Sequence, residues 1–215
     1  GLNRIHIGME SGCDAVLASV DKGVTKEHHI SAGQAVKKAG IELSEYVMPG
    51  LGGKDLSSEH AYHTADALNQ IDADFIRLRT LAIPPNIPLY ESYQSGDFKK
   101  CTDLEIVSEI HEFISALSGI TSTVASDHFY NLLQEVDGVL PGDKQQMLSV
   151  LEHFMQMPSS EQSLFQLGRR LGYFHSLDDL QPGVQRNGVE TVYERLEVTP
   201  ENVDRIVEQH MRTAI

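Results

Sequence analysis

The residues best placed to do chemistry are polar side chains that recur at every second position of three short apolar segments. Arg4, His6, Gly8 and Glu10 alternate with Ile5, Ile7 and Met9. Glu42, Ser44, Tyr46 and Met48 alternate with Ile41, Leu43 and Val47, where Glu45 alone interrupts the apolar set. Arg77 and Arg79 alternate with Ile76 and Leu78. Successive side chains of a strand point to opposite faces, so each segment has one face for packing against helices and one lined by Arg, His, Glu, Ser and Tyr. Such a face is costly to bury unless its groups pair or bind something polar. The competing account is that the charges only pair among themselves, Arg77 and Arg79 with Glu42 or Glu10, or face solvent on an open sheet.

The turns after these segments add to the signal, because α/β folds place ligands at the carboxyl ends of their strands. Glu10-Ser11-Gly12 is followed by a short helical stretch over 14–20 and the turn Asp21-Lys22-Gly23. Pro49-Gly50-Leu51-Gly52-Gly53-Lys54 lets backbone approach a ligand closely and opens a helix whose free N–H groups favour an anion. The same residues also read as an ordinary tight turn capped by Asp55 or Ser57. Pro84-Pro85-Asn86-Ile87-Pro88 forces an extended exit from the third segment. Histidines are plentiful, with His60 and His63 one turn apart and His28, His29, His111, His128 and His153 elsewhere, but none stands in a zinc-binding pattern. Asp127-His128 beside Asn131 reads as a buried polar anchor at a helix start rather than as a catalytic group.

The elements that carry these groups alternate strand and helix. Residues 4–10, 41–48 and 74–83 read as strands, and 25–39 and 57–71 as helices between them. Strands separated by such helices are parallel with right-handed crossovers, so the fold class is α/β: an incomplete TIM-like barrel of three β/α units. From residue 102 the apolar spacing turns helical, over 104–117, 129–136, 144–155, 164–172 and a final amphipathic helix from the Thr199-Pro200-Glu201 cap to 211. Two regions are therefore expected, 1–98 forming the barrel part and 99–215 a helical cover. Leu2 and Asn3 enter the first strand with no helix or turn before them, which leads to the expectation that the chain starts part-way through a barrel. The exposed edge of that strand is then expected to be covered by the other half of the barrel, by another copy of the chain, or by a helix.

Composition narrows the classes. A net charge of −14, with no basic tract, disfavours direct nucleic-acid binding. No apolar run reaches the roughly 20 residues of a membrane helix, and no signal peptide is apparent. Cys13 and Cys101 are too few and too far apart for a disulfide framework, which fits reduced thiols in a cytoplasm.

The succession Ile5-His6-Ile7-Gly8-Met9-Glu10-Ser11-Gly12 with Asp21-Lys22-Gly23-Val24-Thr25, then Ala39-Gly40-Ile41 through Gly50-Leu51-Gly52-Gly53, then Ile76-Arg77-Leu78-Arg79-Thr80-Leu81 with its proline exit, resembles the radical S-adenosylmethionine superfamily. It is similar to strands four to six of that family's open barrel over about the first ninety residues. The stretch from Asp127-His128 to Asn131-Leu132-Leu133 is similar to the helical tail of uncharacterised iron–sulfur oxidoreductases near the coproporphyrinogen-oxidase-like branch. The resemblance implies S-adenosylmethionine as cofactor and an unknown small-molecule substrate. It implies that Glu10 and Ser11 hold the amino acid part or ribose, that Lys22 pairs with the cofactor carboxylate, that Ser44 or Tyr46 replaces the usual acidic ribose ligand, and that backbone near Gly50 and Leu81 supports the cofactor. Arg79, with Arg77, would face substrate or cofactor carboxylates. The family's [4Fe-4S] cluster needs three closely spaced cysteines; these are expected upstream of residue 1, which would leave this chain inactive by itself. The alternative expectation is a non-catalytic α/β and helical module that binds a small anion or a protein partner.

Overall fold

A computed structural model describes residues 1–214. The chain opens with β1 (Arg4–Glu10), α1 (Asp14–Ser19), α2 (Lys26–Lys38), β2 (Glu42–Val47), α3 (Ser57–Ile71) and β3 (Phe75–Leu78). Local chemistry sets these bounds. Thr25 caps α2 by accepting from the His28 N–H while His28 Nδ1 accepts from the Thr25 N–H, a reciprocal capping box. Asp72 ends α3 in the left-handed region at φ 50°. The Asp74 carboxylate then accepts from the Leu43 N–H at 2.8 Å and from Lys37 at 2.7 Å, tying the start of β3 to β2 and α2.

Next come α4 (Leu89–Ser95), α5 (Asp103–Ala116), β4 (Thr123–Ala125), β5 (Gly138–Val139), α6 (Lys144–Gln156), α7 (Ser159–Arg170), α8 (Val184–Arg195) and α9 (Val203–Ala214). The sheet order is β1-β2-β3-β4-β5; the first three pairings are parallel and the last is antiparallel. The α/β class with parallel strands and a helical region therefore stands, with five strands in place of three.

Several expected boundaries are corrected. The third strand stops at Leu78 rather than continuing to 83, because β4 is three residues long and the prolines that follow turn the chain away. No helix forms over 129–136. Asn131 instead holds that stretch as a loop, donating to the Leu78 carbonyl at 3.1 Å and to Ser126 Oγ at 2.9 Å, and accepting from Thr80 Oγ1 at 2.8 Å. The buried polar anchor is thus Asn131, not Asp127, whose carboxylate is exposed. Helices α4 and α8 were not anticipated.

The main core is one cluster that runs from Met9, Leu43 and Ile76 through Phe113, Ile114 and Val124 to Phe154, Phe165 and Val207. It crosses residues 98 and 99 without a break, since α5 packs on α3 and β4 pairs with β3. A smaller cluster of Cys13, Val16, Leu51, Leu81 and Ile83 lies under the loop that follows β3. Strand β1 has β2 as its one strand neighbour among the described residues. No described helix is long and apolar enough to cross a membrane.

Candidate functional site

The alternation of polar and apolar residues places Leu43, Val47, Ile76 and Leu78 in the core and leaves Arg4, His6, Tyr46, Phe75, Arg77 and Arg79 on the opposite face. That face is an ordered stack of charge and ring. The Arg79 guanidinium lies 4.5 Å over the Tyr46 ring, and Tyr46 in turn stacks on His6 with centroids 5.8 Å apart. Arg4 and Arg77 lie 4.8 and 5.6 Å from the Phe75 ring centre. Glu42 pairs with Arg4. Arg77 and Arg79 both bond Asp127, Arg79 at 2.7 Å, so their partner is the loop after β4 and not Glu42 or Glu10. Burial pulls the Asp127 carboxyl upward, but the Arg79 hydrogen bond and the two arginine charges outweigh it and hold it below the ordinary carboxylate value.

At the carboxyl ends of β1, β2 and β3 two hollows adjoin. One, of about 540 Å³, is bounded by Glu10, Tyr46, Met48, Arg79, Thr80 and Ala82 on the sheet side and by His128, Phe129 and Tyr130 opposite. The other, of about 430 Å³, shares Glu10, Met48 and Ala82 and extends between Val20–Asp21 and Leu81, Ile87 and Leu89. Glu10 stands in the wall of both. Its backbone is left-handed at φ 62°, a conformation that costs a non-glycine residue on the order of 1 kcal/mol. It is held there because the Glu10 carbonyl accepts from the Met48 N–H at 3.0 Å and from His60 Nε2 at 3.2 Å. A Cβ on Gly8 would come 2.5 Å from Glu10 Oε1, so glycine at that position makes room for the carboxylate to fold back toward Lys22, whose Nζ is 3.6 Å away. The other oxygen, Oε2, is buried without a hydrogen-bond partner among the described residues.

The remaining residues singled out by sequence fall in different places. Leu81 lines the second hollow and Tyr46 and Arg79 the first. Ser11 is buried and its Oγ accepts from the Cys13 N–H at 3.0 Å, a turn-closing bond. Ser44 is fully buried. The Gly50 N–H donates to Glu109 Oε1 at 2.8 Å, so the anion met by this turn is a carboxylate from α5. Neither Asp55 nor Ser57 caps α3; Ser57 Oγ donates to Glu109 instead.

Sequence reasoning missed the support beneath the site. His60 and Glu109, each with a side chain only 1% exposed, meet at 2.9 Å, and Glu109 also takes the Gly50 and Ser57 donors. One buried unit therefore fixes both the Glu10 carbonyl and the Gly50 turn. His60 was visible as a helix position, but its partner lies 49 residues away, where no local pattern points to it. Also missed were Arg169 and Arg170, whose guanidiniums bind the carbonyls of Phe129, Tyr130, Asn131 and Leu132.

The residues present do not fit an iron–sulfur cluster. Among the described residues no group of three His, Cys, Asp or Glu side chains could hold a metal ion, and Cys13 and Cys101 are each buried singly. Burial, with the charges of Glu109 and Glu105, pushes the Cys101 thiol up to about 11, so it is not a ready thiolate. The zwitterionic amino acid end of S-adenosylmethionine does fit, because Glu10 Oε2 is a buried acceptor without a partner among the described residues and Lys22 stands beside it.

No known protein family's profile matches the chain. Over 111 residues it is 24% identical to the tRNA uridine(34) acetyltransferase of Methanocaldococcus jannaschii, a match that covers 51% of this chain and 20% of that protein. The protein of the same name from Methanocaldococcus infernus is also 24% identical over 111 residues, covering 51% and 21%. The matched region thus spans about a fifth of these curated relatives. Among solved structures, the archaeal Methanocaldococcus infernus Elp3 with an N-terminal deletion matches with a TM-score of 0.48 and 23% identity, covering 59% of this chain and 30% of that one. The relatives' name is that of an acetyltransferase, so the expected oxidoreductase label is not carried forward.

Proposed function

We propose that this chain supplies the S-adenosylmethionine-facing part of a radical S-adenosylmethionine enzyme related to the tRNA uridine(34) acetyltransferases. The observation that carries the reading is Glu10: a carboxylate held in a strained backbone at the wall shared by two hollows, with one buried oxygen lacking a partner among the described residues and an ammonium beside the other. The strand-by-strand resemblance and the similarity to those relatives over half of the chain support it. In this reading Glu10 takes the cofactor ammonium, Lys22 its carboxylate, Tyr46 a ribose hydroxyl, and backbone at Leu81 the adenine edge. Ser11 and Ser44 act as buried supports, and Gly50 shapes the turn. The cofactor, when held by its cluster, supplies hydrogen-abstraction chemistry; this chain's residues bind and orient it and keep water from its amino acid end.

The test is a titration of the isotope-labelled chain with S-adenosylmethionine, read by amide shifts. Binding in the millimolar range is expected, with the largest shifts at residues 10, 22 and 81, and Glu10→Gln should weaken it about tenfold, the loss of one charge-assisted hydrogen bond. A titration to saturation solubility that moves none of these amides overturns the assignment.

A further inference from the structure

We infer that the 540 Å³ hollow is a second subsite, built to take a planar conjugated ring that carries an anionic arm. Three rings form its outer wall: His128 and Phe129 with centroids 5.0 Å apart, Phe129 and Tyr130 at 3.9 Å, and His128 and Tyr130 at 5.8 Å. Phe129 is 65% exposed and touches the rings of His128 and Tyr130, so the three make one aromatic surface rather than a lone exposed side chain. The loop that carries it is fixed to an unusual degree. Arg169, only 6% exposed, donates to the carbonyls of Phe129 at 3.3 Å, Asn131 at 2.8 Å and Leu132 at 3.0 Å, and Arg170 binds the carbonyl of Tyr130. Anchoring the buried Leu132 and Leu133 would need only the inner bonds. The two that reach Phe129 and Tyr130 set the position of exposed rings, and a held aromatic surface at the mouth of a hollow is a stacking platform.

The facing wall supplies the charge. Of the two arginines that share the single carboxylate of Asp127, Arg79 lines the hollow, and the Glu10 carboxylate in the same wall has Lys22 as its counter-ion, so the group keeps one positive charge in excess. Burial and then the Arg79 charge lower the pKa of His128, keeping the ring neutral beside these cations. A ring stacked on Phe129 and Tyr130 with a phosphate or carboxylate toward Arg79 satisfies both walls at once. The subsite goes beyond the cofactor reading and stands on different residues, apart from Glu10 and Tyr46.

Saturation-transfer difference spectra of the whole chain test it with four probes: cytidine 5′-monophosphate, cytidine, quinoline-2-carboxylate and S-adenosylhomocysteine. Transfer to the ring protons of at least one anionic probe is expected, and which one responds assigns the arm as phosphate or carboxylate. Cytidine should bind about tenfold more weakly than its phosphate. Phe129→Ala should weaken the anionic probes about tenfold with an unchanged melting temperature, because the side chain is exposed. Asp127→Asn should tighten them by removing the internal competitor. Absence of transfer to both anionic probes at millimolar concentration overturns the inference, as does binding indifferent to Phe129→Ala. Displacement by S-adenosylhomocysteine would show that the hollow belongs to the cofactor and would sink the second subsite while leaving the cofactor assignment standing.

Discussion

Glu45 lies on the apolar face of β2, paired in register with Ile7 and Ile76, and both of its carboxyl oxygens are buried without a partner among the described residues. Burial first, and the charge of Glu10 second, push its pKa up to about 8 from an ordinary 4.5, so at neutral pH it is a neutral acid inside the core. In the unfolded chain it ionises near its ordinary value, so between the two pKa values the folded state binds more protons than the unfolded one. Its contribution to stability is therefore complete below pH 4.5 and lost progressively as pH rises through about 8. Urea denaturation at pH 5 and at pH 8.5 should show the wild type losing several kcal/mol that Glu45→Gln does not lose. Parallel pH dependence in the two proteins would show that Glu45 is not the titrating group. The alternation of strand residues already marked Glu45 as the one charge on an apolar face. That none of the described residues pairs with it was not legible, since partners on α2 and α3 are set by packing and not by spacing.

At the scale of elements, the buried link between α3 and α5 is the carboxylate of Glu109. Glu109 accepts from the Gly50 N–H, from Ser57 Oγ and from His60 Nδ1, and the other nitrogen of His60 reaches the Glu10 carbonyl. Truncating Glu109 leaves two buried donors, the Gly50 N–H and His60 Nδ1, and the half-buried Ser57 hydroxyl unsatisfied, each costing about 1–3 kcal/mol less whatever water recovers. Glu109→Ala should therefore destabilise the chain by about 3 kcal/mol or more. It should also speed amide exchange at Gly50 and loosen the turn more than the rest of β2. Loss of stability without selective exchange at Gly50 would mean that Glu109 supports only the helix pair. Helix α3 was read at its observed bounds because its apolar residues recur with helical period and the chain leaves it at Asp72. The role of Glu109 was hidden because Glu105, Glu109 and Glu112 look alike on an amphipathic helix, and only the packing of α5 on α3 turns one of them inward. The loop that carries Phe129 was misread for a related reason. Its residues have a helical period, but the arginine bonds to its carbonyls and the bonds of the Asn131 side chain to Leu78, Thr80 and Ser126 outweigh that preference.

For the whole molecule, the three β/α units were legible because each carries its own hydrophobic period, whereas β4 and β5, three and two residues long, are too short to show one. They form because β3 would otherwise present an unpaired edge over a buried face, and Phe75↔Thr123 through Arg77↔Ala125 close it. This bears on the expected boundary between 98 and 99. Residues 1–98 contain Leu68, Ile71, Ile76 and Leu78, but the side chains that belong to the same core include Phe113, Ile114, Leu117 and Val124 from beyond the boundary. Cutting there would expose the outer face of α3 and the open edge of β3 together, and would remove Glu109 and Asp127, the partners of His60 and of both arginines. A three-stranded remnant of this size has little core to oppose its chain entropy. Residues 1–98 expressed alone should thus show no cooperative thermal transition and poor amide dispersion, while the full chain melts as one unit across probes. A sharp transition for the short segment would instead establish it as a domain in its own right, with the helical region docked on it.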